Sequence, residues 1–423
     1  MKTNGKENFI CPFPWLTPCV TTSGHFRVCP VSQSSPSKGL IKSKNSYLHI
    51  ETPNAVNEWR NSETLMQLRD AMMNGKDISS SCYRCLQEEE NGIHSRRQME
   101  LARHPNFTHE FVASVTSENG TIASETPIES LVIRLGNKCN LACRMCGPTS
   151  SSAWYKEWKQ HESERFQDDF EKVVLQENSH GQVTPIKDIY KWAEQDLLLK
   201  FIQSCGNKLH RIHFSGGEPL LVESHIPLLE KLVESKQAPH IGLDYNSNLT
   251  VVPEQILKLW ASFHDVQIGA SLDGPPEIND YIRYPSKTAP ILRNIERIGK
   301  AVPRAKIWIS TTVQIYNIFY LQEMAAWVRT LDLPGLEKNF SWHILRGPAE
   351  LSIYALPQPI KQKLVALYTG TEFSAVAESL QQVSHADMFE KFKKYTHRLD
   401  LGRNQKIQNL SVLYSEIKNY WES

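Results

Sequence analysis

Three cysteines on one short segment, Cys139-Asn-Leu-Ala-Cys143-Arg-Met-Cys146, follow the spacing C-x3-C-x2-C. Thiolates so spaced can each take one iron of a cubane 4Fe-4S cluster, which leaves the fourth iron without a protein ligand. An open position on a metal centre marks catalysis rather than support of a fold. A structural zinc site wants four ligands in paired spacings, and no fourth stands near this loop. Cys11, Cys19, Cys29, Cys82 and Cys85 lie upstream and Cys205 alone lies downstream. The first residues, Met-Lys-Thr-Asn-Gly-Lys-Glu-Asn, form no apolar leader, so a cytoplasmic, reducing compartment is expected. Clustered cysteines there read as metal ligands before disulfides. Cys205, at an apolar helix end, reads as a buried structural thiol.

The elements needed to hold this loop begin near residue 128, where strand-like and helix-like runs alternate. The strand candidates are Ser130–Leu135, His210–Phe214, Ile241–Asn246, Asp265–Ser271, Lys306–Val313 and Phe340–Leu345. Helical runs separate them, near Leu197–Cys205, Glu223–Ser235, Pro253–Phe263, Ala289–Lys300 and Tyr320–Thr330. This alternation argues for an α/β fold with a parallel sheet, either a six-stranded partial barrel or an open doubly wound sheet. Residues 1–100 are a loop-rich, cysteine-rich module with one helical stretch near Glu58–Asn74, and 101–127 read as a polar linker. The core spans 128–346, with a polar insertion at Arg165–Asp196. Residues 347–423 are a helical C-terminal extension: Gln358–Tyr368, then a long amphipathic helix ending in Leu410, Leu413, Ile417 and Trp421. With Lys+Arg 47 against Asp+Glu 46 there is no charge field for nucleic acid or a membrane surface. No apolar run approaches the roughly 20 residues that span a bilayer.

With the cysteine loop directly after the first strand, the chain resembles the radical S-adenosylmethionine (radical SAM) superfamily over about 130–345. The next strand ends in His213-Phe-Ser-Gly-Gly-Glu-Pro219, similar to that family's G-G-E-P turn. The resemblance implies a partial (β/α)6 TIM-like barrel whose strand ends hold a 4Fe-4S cluster on Cys139, Cys143 and Cys146 and bind S-adenosyl-L-methionine. It implies that Gly216, Gly217 and Glu218 receive the methionine amino group. Asn248, Ser271 and Asp273 at later strand ends, Arg283 toward the methionine carboxylate, and Met145 beside adenine complete the expected cofactor contacts. Many relatives carry an aromatic where Met145 stands, and a thioether packs against a base as well. Asn317 is a weaker match near adenosine. The bland readings are a strand-ending turn with a helix cap for Ser271 and Asp273, and a solvated position for Arg283. Arg144 either tunes the cluster by its charge or is solvated.

The upstream cysteines show Cys11, then Gly24-x4-Cys29, then Cys82-x2-Cys85, followed by Glu89, Gly92, Ser95 and Arg97. This resembles the twitch and SPASM auxiliary modules, which implies a second 4Fe-4S cluster on Cys11, Cys29, Cys82 and Cys85, with Cys19 a rival for Cys11. A zinc knuckle uses the same ligand types. The resemblance implies reductive cleavage of S-adenosylmethionine to a 5′-deoxyadenosyl radical that abstracts hydrogen from substrate. The electron would come from a donor such as flavodoxin or ferredoxin. The expected outcome is oxidation or cross-linking of a peptide or protein side chain. The alternatives are oxidation of a small molecule such as an aminocyclitol, sugar or nucleotide, and a non-catalytic iron–sulfur sensor. No acid or base is singled out: His213, His343, Tyr245 and Asp244 all lie near strand ends and are equally suited to the core.

Overall fold

All six expected strands form, and they form where β-branched and aromatic residues cluster. The structure is a computed structural model that describes residues 9–32, 39–160, 173–194, 196–381 and 387–422. The fold is mixed α/β on a parallel sheet, and contacts divide the chain into two compact units. Unit 1 comprises Met1–Cys139, Pro148–Tyr245 and Ser262–Asp265; unit 2 comprises Asn140–Gly147, Asn246–Ala261 and Val266–Ser423.

In unit 1, two short strands, β1 (Cys19–Val20) and β2 (Phe26–Arg27), precede β3 (Ser130–Arg134), β4 (Arg211–Ser215) and β5 (Gly242–Ser247). The order is β5-β4-β3-β1-β2, and every pairing is parallel except β1 with β2. Leu131, Val132 and Ile133 of β3 are all buried, as befits a central parallel strand covered on both faces. The cysteine-rich segment is therefore tied into this unit by main-chain hydrogen bonding, with Cys19 opposite Val132 and Val20 opposite Ile133. Trp192 adds a second tie, its indole N–H donating to the Thr22 carbonyl at 2.8 Å.

In unit 2, β6 (Asp265–Ser271), β7 (Lys306–Val313) and β8 (Leu336–Ile344) run parallel. β8 starts earlier than its apolar run, and its register with β7 shifts between Ile307 and Ile309. Among the described residues, no helix is long and apolar enough to cross a membrane.

Three helical expectations change. The stretch Glu58–Asn74 is two helices, Ala55–Arg60 and Glu63–Met73. Between them Ser62 is extended (φ −63°, ψ 145°), and the Asn61 side chain donates through Nδ2 to the Ile122 carbonyl (3.0 Å) and accepts the Ile122 N–H (2.9 Å). The linker contains a helix, His109–Val115, capped by Thr108 accepting the Phe111 N–H at 3.2 Å. The final amphipathic helix is likewise divided, into Met388–Arg403 and Ser411–Trp421, because Asn404 turns left-handed at φ 50°. Of the insertion, 165–172 and 195 lie outside the described residues; the rest includes a hairpin, Leu175–Glu177 with Val183–Pro185.

Candidate metal centres

The approach to Cys139 is built in unit 1 by two strand ends folded onto each other. Leu135 donates its N–H to the Ser215 carbonyl at 2.8 Å, Gly217 to Gly136 at 3.0 Å, and Glu218 to Lys138 at 2.7 Å. This closeness explains the glycine pair. A Cβ on Gly217 would stand 2.3 Å from the Lys138 carbonyl oxygen, and one on Gly216, at φ 130°, would stand 2.7 Å from that of Gly136. Glu218 is buried and accepts the Leu220 N–H at 3.2 Å. The Ser152 hydroxyl clamps Cys139, accepting its N–H and donating to its carbonyl, both at 3.2 Å. Nothing in the cysteine spacing points to Ser152; only its position at a short helical turn hints at a polar anchor.

Cys143 and Cys146 belong to unit 2, where the loop runs beside residues 282–284. Ala142 donates to the Tyr284 carbonyl (2.7 Å), Arg144 to Ile282 (2.9 Å) and Cys146 to Cys143 (3.0 Å). The Cys143 thiol is pushed well up by its hydrogen bond with Cys146 and by burial, and the Arg283 charge pulls it down. Arg283 is buried, with Nε 2.8 Å from Asp273 Oδ2. Asp273 also accepts the Thr312 N–H at 2.8 Å, and burial raises its carboxyl against the pull of Arg283. Arg283 is thus a positive charge beside two cysteines, not a solvated helix residue. Asn248 donates to Asn140 Oδ1 (3.1 Å) and accepts from Thr250, tying the β5 end to the start of the cysteine loop. Asn317 spends its Nδ2 on the Asp273 and Thr312 carbonyls, so it braces the β6 and β7 ends. Ser271 closes β6 and is half-buried, as is Met145.

A second group of cysteines lies wholly within unit 1. Cys11, Cys29, Cys82 and Cys85 line one small cavity with Phe9, Val28, Arg96 and Arg97 among its walls. Cys82 and Cys85 share one face of α1 (Ser79–Glu90), three residues apart. Cys11 precedes a turn held by Arg69, which is buried in the helix Glu63–Met73 and donates to the Pro14 carbonyl at 2.9 and 2.7 Å. Backbone N–H groups of Phe13, Val31 and Ser32, and Arg97 reach the sulfurs of Cys11, Cys29 and Cys85 respectively. Burial raises all four thiols, that of Cys85 to about 11. Metal loading here must therefore release protons. Glu89, Ser95 and Arg97 close the turn from α1 to α2 (Arg96–Arg103). Glu89 accepts two bonds from Arg97 (2.9 and 2.6 Å) and one from the Ser95 hydroxyl (2.6 Å). Cys19 does not line the cavity; it sits on β1 with its thiol directed to the Thr17 carbonyl. Cys205 is buried and its thiol reaches the Phe201 carbonyl at 3.4 Å.

The four strand-end candidates for acid or base divide by their partners. Asp244 is held by Arg103 (2.8 Å) and Arg211 (2.5 Å), and the Tyr245 hydroxyl meets His225 Nε2 at 3.0 Å. Burial lowers the His213 imidazole to about 4, while His343 is exposed and 3.2 Å from the Thr312 hydroxyl. One polar cluster had no signal in the sequence: buried His104 lies 2.9 Å from Glu129 and 3.4 Å from Glu100, with His210 beside it.

Residues 133–328 match the model of the Radical SAM superfamily, a stretch that holds the cysteine loop, the glycine turn, Asp273 and Arg283. An uncharacterized protein of Methanothermobacter thermautotrophicus (strain Delta H) is 32% identical over 88 residues, 20% of this chain and 33% of that protein. The match therefore spans about a third of that relative's length. Among solved structures, anSMEcpe with bound AdoMet is similar at 18% identity over 57% of each chain, with a TM-score of 0.36. Streptococcus suis SuiB bound to S-adenosylmethionine is similar at 14% identity over 72% of this chain and 62% of that one, with a TM-score of 0.33. SuiB bound to the precursor peptide SuiA matches at 14% identity over 61% and 53%, with a TM-score of 0.31.

Members of the Radical SAM superfamily hold a 4Fe-4S cluster and use S-adenosylmethionine. The donor set fits such a cluster. Three thiols stand on one eight-residue loop, two of them already in mutual contact and beside the cation Arg283.

Proposed function

We propose that this chain is a radical SAM oxidase with a second iron–sulfur centre, acting on a peptide or protein side chain. When bound, the cluster and S-adenosylmethionine supply a 5′-deoxyadenosyl radical that takes hydrogen from substrate. The chain's own part is positional. The Gly216-Gly217 turn and Ser152 fix Cys139, and the 282–284 segment fixes Cys143 and Cys146. Arg283 offers a guanidinium for carboxylate binding, with Asp273 orienting it. Glu218, Asn248, Ser271 and Met145 take the remaining cofactor contacts.

The observation that carries the oxidase reading is the convergence of Cys11, Cys29, Cys82 and Cys85 on one cavity, with backbone N–H groups at three of the sulfurs. Such donors accompany thiolates that ligate clusters and help set their potential. Cys11, Cys29, Cys82 and Cys85 would hold a second cluster by four protein ligands, and such a cluster would supply an acceptor for the electron that a net oxidation of substrate releases. The choice of a peptide substrate rests on the likeness of the cysteine pattern to twitch and SPASM modules.

Anaerobic incubation with S-adenosylmethionine and dithionite tests the radical step. Formation of 5′-deoxyadenosine above a Cys146→Ala control is expected, and its absence would sink the reading. Iron per chain after reconstitution tests the second centre: about eight supports two cubanes, and about four with bound zinc rejects the pair. Substrate class is tested by offering peptides encoded beside the gene; turnover of sugars or nucleotides alone would replace the peptide reading.

A further inference from the structure

In the chain, a buried cation, Arg144, stands between Cys143 and Cys146, and its counter-ion comes from far along the sequence. Arg144 is fully buried in unit 2. Its Nη2 reaches Asp400 Oδ1 at 2.5 Å and Gln405 Oε1 at 2.9 Å, and its Nε donates to the Tyr281 carbonyl at 3.1 Å. The guanidinium lies 3.7 Å from the Tyr281 ring centroid, and the Tyr395 hydroxyl donates to the Arg144 carbonyl. Asp400 and Tyr395 both belong to α3 (Met388–Arg403), in the C-terminal extension. Asp400 is itself held in place, accepting the Tyr281 hydroxyl and the Ile407 N–H, each at 2.7 Å.

Buried ion pairs are a poor route to stability, because desolvation offsets most of the attraction. What this pair does control is charge. A cluster on cysteine thiolates gains one negative charge on reduction, and a cation beside it favours that reduced form. An anion paired with the cation cancels part of the effect. We propose that Arg144 and Asp400 are a charge couple that sets the reduction potential of the cluster, with Asp400 a positioning residue supplied by the C-terminal helix. This rests on the assignment of a cluster to Cys139, Cys143 and Cys146.

The test is a redox titration of the reconstituted full chain, following by electron paramagnetic resonance the signal that changes when S-adenosylmethionine is added. Asp400→Asn exposes the cluster to an uncompensated cation and is expected to raise the midpoint potential. Arg144→Met is expected to lower it. Arg144→Met with Asp400→Leu replaces the pair by apolar groups, protects the fold, and is expected to fall between the two. Tyr395→Phe removes an anchor without altering charge and is expected to leave the midpoint in place. An Asp400→Asn protein with a full signal at the wild-type midpoint overturns the proposal, as does an equal shift in Tyr395→Phe. Loss of any S-adenosylmethionine-sensitive signal in the wild type is a different result, and it removes the cluster assignment itself.

Discussion

The two cysteine regions solve opposite problems. At the three-cysteine loop the ligands follow one another within eight residues, and long-range contacts are needed to stiffen them. At the four-cysteine cavity the ligands are spread from Cys11 to Cys85, and the fold itself must gather them. The first arrangement leaves a coordination position open by its ligand count; the second is closed by it. Chemistry is therefore expected at the loop and electron handling at the cavity.

Removing a ligand from each region separates these roles most sharply. Cys146→Ala should abolish S-adenosylmethionine cleavage, a loss beyond the roughly 10–100-fold that changes outside the ligand sphere cost; 5′-deoxyadenosine measured by chromatography reads it. Cys85→Ala should instead lower iron from about eight to about four per chain while cleavage persists and oxidised product disappears. If both variants lose cleavage equally, the division of labour is wrong.

A smaller effect probes the scaffold of the loop. Gly217→Ala forces a methyl against the Lys138 carbonyl, where no side chain can yield, and should cost about 3 kcal/mol. Its thermal midpoint should fall, and cleavage should fall with it. The cavity should keep its iron, because none of its lining residues touches that turn.

The smallest effect concerns pH and belongs to unit 1 alone. Burial pulls the His104 imidazole down, but its hydrogen bonds to Glu100 and Glu129 outweigh that and hold it at about 9. A folded-state value above the unfolded 6.5 means the contribution is complete below pH 6.5 and is lost as pH rises through 9. Urea midpoints at pH 6 and pH 10 should therefore differ in the wild type, and differ less in His104→Gln.

The three-cysteine loop was legible as a pattern because its spacing is local, whereas the grouping of Cys11, Cys29, Cys82 and Cys85 around one cavity was legible only through a resemblance. The strands were legible too, and their apolar runs match their burial except in β8, where only Leu336 and Ile344 are buried. The environment of the ligands was not legible. Arg144 reads from the sequence as either a charge that tunes the cluster or a solvated cation, and only the placement of Asp400, 256 residues later, shows it buried and paired. The glycine pair pointed to close approach of a ligand, yet the atoms that exclude a Cβ are carbonyls of the loop before Cys139. The helix break lies at the extended Ser62, which the apolar spacing on either side of it does not reveal.

The two-residue strand β1 has a consequence for how far the chain can be trimmed. It covers one side of β3, and β2 beyond it is covered in turn, its groups bonded to Leu48, Ile41 and Gly39 neighbours through Phe26 and Val28. A chain cut to begin at residue 128 would bare the hydrogen-bonding edge of Leu131, Val132 and Ile133, an apolar run with no proline and only the flanking Arg134 within the strand to deter a second copy. In the full chain that edge is covered by Cys19–Val20, with Phe26–Arg27 beyond it, so truncation there is expected to raise self-association, read by size-exclusion chromatography.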